Sequence, residues 1–193
     1  MMLDAARTRT AADLRWLVPK RLLRRFARRQ DGAAAVEFAL VALPFLALTF
    51  AIIETALVFF AGQTLEAAAA DAGRLIMTGQ AQTGAFNQDA FKQAVCDHIY
   101  GLFDCKNGVY VDVRTYKDFA SSATGVTTSP IQNGKFDPSQ VAYNPGGPGD
   151  IVVVTLYYQW PIYVTLLGDN LANLNGSQRL LVATSVFRNE PYQ

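Results

Sequence analysis

The chain of 193 residues offers little reactive chemistry: two cysteines, one histidine and a modest set of acids. Cys96, Asp97 and His98 are consecutive, and a thiol, a carboxylate and an imidazole together suggest a nucleophile or a metal site. Consecutive residues of a helix face different directions, however, and structural zinc asks for four ligands where this cluster supplies three. No glycine loop for phosphate and no serine elbow occurs. The expectation is a protein that is not an enzyme and needs no cofactor and no metal. Cys96 and Cys105, spaced C-x8-C, fit a disulfide if this part of the chain lies outside the cytoplasm; two buried free thiols are the alternative. Asn175-Gly176-Ser177 fits a glycosylation sequon but reads as turn chemistry.

Two further acids stand out because of what surrounds them. Glu37 and Glu54 interrupt the run Ala33 to Ala61, AAAVEFALVALPFLALTFAIIETALVFFA, which is otherwise broken only by Pro44, Thr49 and Thr55. Twenty helical residues at about 1.5 Å each cross a hydrocarbon core of about 30 Å, so this run is long enough to span a bilayer. Arg21, Arg24, Arg25, Arg28 and Arg29 flank it on one side only. The positive-inside rule keeps that side in the cytoplasm and sends everything after residue 62 across the membrane. An ionisable group within a span costs on the order of 2.5–3.5 kcal/mol on insertion scales, so each acid asks for a partner. The acids are 17 residues apart, about 100° around a helix, and so cannot share one. For Glu54 two readings stand: a contact with a polar group on another membrane component, or exposure to water near the headgroups. Pro44 removes one helical hydrogen bond and is expected to bend the helix.

The formal net charge of +1 conceals an asymmetry. Residues 1–31 hold nine of the 17 Lys and Arg and three of the 16 acids, a balance of +6, which leaves −5 for residues 32–193. Positive charge that precedes a hydrophobic run, with an acidic remainder, is not the footprint of a nucleic-acid-binding surface.

Beyond the apolar run, the alanine-rich GQTLEAAAADAGRLIM predicts that the helix continues as a stalk to Met77. Ala67 to Ala70 would let another helix approach, and Asp71 and Arg74 are spaced to pair. Phe91, Val95, Ile99 and Leu102 recur at helical spacing and predict a helix over Asn87 to Tyr100, ended by Gly101. VYVDVRTY (109–116) alternates as a half-buried strand; IVVVTLYYQW (151–160) and RLLVATSVFR (179–188) read as strands too. Residues 117–150, with five Gly and four Pro, predict a long loop. The apolar run Ile151 to Leu167 is a weaker candidate for a second span; its β-branched content, the break at Gln159-Trp160-Pro161 and the lack of basic flanks oppose it. The distal part is therefore α+β: a helix packed on an antiparallel sheet.

The junction RRFARRQDG-AAAVEF is the informative point. An ordinary signal peptide is cut after a much shorter apolar stretch, although Ala67 to Ala70 offers small residues for such a cut. Gly32-Ala33-Ala34-Ala35-Val36-Glu37-Phe38 resembles the type IV prepilin motif, in which a membrane-embedded peptidase cuts after the glycine and removes the basic leader. Residues 32–74 resemble the TadE-like family of the Tad, or tight adherence, pilus system, through Gly32, Ala35-Val36-Glu37-Phe38-Ala39, Pro44, Glu54 and the alanine-rich helix ending at Arg74. The ending Arg188-Asn189-Glu190-Pro191-Tyr192 resembles that of some TadE-like proteins.

This resemblance implies a pilin-like organisation: a cleaved cytoplasmic leader (1–32), a transmembrane and stalk helix (33–79) and a periplasmic α+β domain (80–193). It implies processing at Gly32, Ala33, Glu37 and Phe38, with Glu37, Pro44 and Glu54 as intramembrane assembly residues. The implied partners are prepilin peptidase, other pilins or pseudopilins, inner-membrane Tad components and the lipid bilayer, and the implied role is assembly of Flp-type pili for adherence and biofilm formation. Loss of residues 1–32 would leave 161 residues, more than the major Flp pilins have, which favours a minor component. The competing reading is a signal-anchored periplasmic binding or scaffold domain unrelated to pili.

Overall fold

Helix α1 runs unbroken over Ala33–Met77, 45 residues with Pro44 inside it. The computed structural model describes residues 32–99, 101, 104–125, 130–164 and 171–192. Residues 1–31 of the expected leader, Tyr100 at the end of the second expected helix, Leu102, and residues 165–167 of the run Ile151 to Leu167 lie outside the described residues. Two compact units are present, residues 1–46 and 47–193. The division falls inside α1, well before residue 79.

In the first unit, the described part of α1 is exposed: Phe38 is 75% exposed, and Val36, Leu40, Val41 and Leu43 are similarly open. Apart from the exposed Glu37, this surface is apolar, which is the pattern of a membrane span.

In the second unit, one face of α1 enters the core from Val58 onward. Val58, Ala61, Leu65, Ala68, Ala69, Ala72 and Ile76 are buried, and their i, i+3, i+4 spacing makes one stripe. The stripe packs on a sheet of three antiparallel strands in the order β1–β4–β5, with β1 Val109–Tyr116, β4 Ile151–Pro161 and β5 Gln178–Arg188. The register aligns Val111, Leu156 and Ala183 across the sheet; all three are buried in the same cluster as the helix stripe. The partner that the small residues of 67–70 admit is thus this sheet, with Ala68 and Ala69 on it and Ala67 and Ala70 exposed. At Gly73 the approach is close: a Cβ there would lie 2.9 Å from Cε1 of Phe187.

The expected second helix is shorter than its sequence pattern: α3, Gln88–Asp97, after a single turn α2, Gln80–Thr83. Asn87 caps α3 by accepting the N–H of Ala90 at 2.8 Å, and Phe91 and Val95 bury its inner face. A further turn, α4, Cys105–Gly108, leads into β1.

The 117–150 stretch carries more structure than a loop. It contains helix α5, Phe119–Gly125, a small hairpin of β2, Ile131–Gln132, and β3, Lys135–Phe136, and a 3-10 turn at Pro138–Gln140. Phe136 packs between Tyr110 and Tyr157, with ring centroids 4.9 and 5.2 Å away. The hairpin therefore covers part of the sheet face opposite α1. Residues 151–161 form the central strand of the sheet, which answers the second-span candidate for that part of the run.

Candidate functional site

Gly32 and Glu37 stand at the start of α1, exposed along with their neighbours. Nothing lies within 4 Å of where a Cβ on Gly32 would sit. Among the described residues, this junction is sterically open.

Glu54 has neither of the environments that its sequence context allows. It is only 6% exposed, and its partners come from its own chain. The N–H of Tyr163 donates to Oε1, and the N–H of Val164 donates to Oε2 at 2.7 Å. Both carboxylate oxygens thus hold the chain just after β4, where Ile162 is buried beside them in the core cluster. Hydrogen bonds to an ionised acceptor are about twice as strong as neutral ones. Nothing in the local sequence signals this contact, since the partners lie 109 and 110 residues away and donate through backbone.

Cys96 and Cys105 form a disulfide, with Cα atoms 5.7 Å apart. It ties the end of α3 to α4 and so fixes the approach to β1. Among the described residues no cysteine is free, and no group of three His, Cys, Asp or Glu could hold a metal ion. His98 points elsewhere than to Cys96: its Nδ1 lies 3.8 Å from Asp71, an exposed contact between α3 and α1. Asp71 thus meets His98, and among the described residues no Asp71–Arg74 ion pair is present.

On the far face of the sheet, Asp112 is 8% exposed despite its place in an alternating strand. It accepts from Nε of Arg114 at 2.9 Å and from the N–H of Ala142 at 2.7 Å, while an Nη of Arg114 donates to the carbonyl of Gln140. The pair pins residues 140–142 over β1. Burial raises the phenol of Tyr157 above its ordinary value, and the negative charge of Asp112 adds to this.

The C-terminal segment, conspicuous in sequence but without an evident role there, closes the fold. The N–H of Glu190 donates to the carbonyl of Met77, the last residue of α1, at 2.8 Å. Nδ2 of Asn189 donates to the carbonyls of Pro145 and Gly147, both at 3.0 Å, and Nε of Arg188 donates to that of Gly149. Gln82 reaches the Pro145 carbonyl too. Tyr192 lies against Gly79, with its phenol raised by desolvation and by the charge of Asp150.

The architecture is therefore that of a long apolar helix, capable of crossing a membrane by length and composition, continued into the core of a disulfide-bearing α+β domain. Residues 32–74, nearly all of α1 together with the junction before it, match the model of the TadE-like protein family. The curated proteins and the solved structures contain no match to the chain. The matched segment contains Glu37, Pro44 and Glu54.

Proposed function

We propose that the chain is a minor pilin or pseudopilin of the Tad system, cut after Gly32 by prepilin peptidase and required for assembly of Flp-type pili, and through them for adherence and biofilm formation. The observation that carries this reading is the family match over residues 32–74, which begins at the glycine between the basic and apolar runs. In this reading the role is structural rather than catalytic, and the protein is the substrate of an enzyme.

The chemistry of assembly turns on Glu37. Cleavage after Gly32 creates an α-amine at Ala33, four residues and one helical turn from Glu37. In a low-dielectric bundle a lone carboxylate is costly, and pairing it with an amine, its own or that of a neighbouring subunit, removes the penalty. The leader, with its +6 balance, sets topology with the N-terminus cytoplasmic and the C-terminal domain periplasmic. Other pilins or pseudopilins and inner-membrane Tad components are the partners, with the exposed apolar surface of residues 36–43 available to meet their helices.

N-terminal sequencing of the chain purified from membranes tests this directly. The expected first residue is Ala33, and substitution of Gly32 should leave the leader attached and abolish piliation. A chain that starts at Met1 or Met2, or pili of normal number in the Gly32 variant, would refute the processing route and favour a plain signal-anchored scaffold.

A further inference from the structure

The clamp at Glu54 lies at an informative depth. Glu54 is 21 residues after Ala33 in α1, about 32 Å along a helix against a hydrocarbon core of about 30 Å. It therefore marks the far margin of a span that starts at residue 33. At that level the side of α1 away from the sheet stays apolar and open, with Ile52, Ile53, Leu57, Phe59 and Phe60 all exposed, Phe59 to 72%.

Pro161–Val164 crosses α1 at the same level. Ile162 is buried, and Tyr163 is 81% exposed, so one residue faces the protein while the next, an aromatic with a polar tip, faces outward. No charged residue occurs over 151–164, and Glu54 is the only one over 38–62. This single charge is spent on the N–H groups of Tyr163 and Val164. Irregular backbone next to lipid needs its polar groups satisfied from within the protein, because water is scarce there. An outward tyrosine among uncharged apolar neighbours is the pattern of the membrane interface, where a ring meets acyl chains and a hydroxyl meets headgroups.

We propose that Pro161–Val164 is a second membrane contact, resting with Phe59 and Phe60 in the interfacial layer of a lipid bilayer at the far end of the span, and that Glu54 supplies the hydrogen bonds its backbone forgoes there. The contact would set how closely the domain sits on the membrane before assembly. It rests on α1 being a membrane span, and is continuous with that apolar surface.

Single-tryptophan chains in phosphatidylcholine nanodiscs separate the two claims. With Trp16 and Trp160 changed to Phe, Tyr163→Trp reports the contact and Phe50→Trp reports the span. The expected result is quenching of the position 50 probe most strongly by lipids brominated in the outer part of the acyl chain, below the headgroup. The position 163 probe should be quenched at least twofold by lipids brominated near the headgroup. Quenching at 50 but not at 163 overturns the contact and leaves the span standing; no quenching at either position removes both. A photo-crosslinking benzoylphenylalanine at 163, in the chain that keeps both tryptophans, guards against misfolding caused by Trp160→Phe. Adducts with lipid support the proposal, whereas adducts solely with a second copy of the chain overturn it.

Discussion

The ring of Tyr192 lies over Gly79, so close that a Cβ on Gly79 would fall 2.2 Å from the ring's Cγ. Gly79 has φ +78° and follows the last turn of α1, donating its N–H to the carbonyl of Ile76. Only a residue without a side chain satisfies both the left-handed backbone and the covering ring.

Gly79→Ala should therefore destabilise the domain by more than the 1–2 kcal/mol that the left-handed conformation alone costs an alanine. Adding Tyr192→Ala relieves the clash but not the backbone strain, so the double variant should lose less than the sum of the two single losses. Thermal unfolding of the full chain in detergent, followed by circular dichroism, gives the cycle; strict additivity would show that the ring does not press on this turn.

Glu54→Gln keeps the shape but replaces one acceptor oxygen with an NH2 that cannot accept. One of the two amides, Tyr163 or Val164, then loses its bond, at a cost of about 1.5–3 kcal/mol for a hydrogen bond to a charged group. Hydrogen exchange at these two amides should accelerate about tenfold or more, while exchange in β1 and β4 stays as it was. Unchanged protection at both positions would show that the carboxylate does not hold this segment.

The Cys96–Cys105 bond closes a loop of about ten residues, which in the chain-entropy model is worth about 2–3 kcal/mol. Reductant should lower the unfolding midpoint of the native chain and leave that of the Cys96→Ser, Cys105→Ser double variant unmoved. Equal response in both chains would contradict a contribution from this bond.

Alkaline pH should act through two buried phenols. Burial raises Tyr143 and Tyr157 above the usual tyrosine value near 10, so the folded state favours the neutral form more than the unfolded state does. The stability they contribute is complete below pH 10 and is lost as pH rises through their elevated folded values. The Tyr143 hydroxyl is buried with no hydrogen-bond partner among the described residues, so Tyr143→Phe should be neutral or stabilising by about 1 kcal/mol at pH 7. It should also flatten the alkaline fall, and denaturant titrations at pH 7 and 11 measure both effects. A loss of stability at pH 7 would show that the hydroxyl has a partner.

Much of the architecture was legible because it depends on short periods. The 29-residue apolar run, the alternation of 109–116, and the β-branched runs at 151–160 and 179–188 each declare an element without reference to anything distant. The helix at 88–97 came out shorter than its apolar pattern because Ile99 packs in the core as part of the turn that follows rather than as a continued helix. The 117–150 region hid its elements because they are brief and owe their form to the sheet beneath, as Phe136 does to Tyr110 and Tyr157. Asp112 shows the same limit: alternation places it on a face, and only the chain that returns over that face at Ala142 buries it.

By itself, the sequence determined the apolar helix, the charge asymmetry around it, the Gly32 junction and the sheet-forming runs. These follow from composition and spacing along a few turns of chain. Tertiary structure decided where α1 stops being free surface and becomes core, that Cys96 and Cys105 meet, and that the C-terminal residues clasp the end of α1. It also decided the partner of Glu54. Those outcomes are contacts between groups up to 110 residues apart, many of them made by backbone N–H and carbonyl groups that every residue carries, so no residue type announces them in advance.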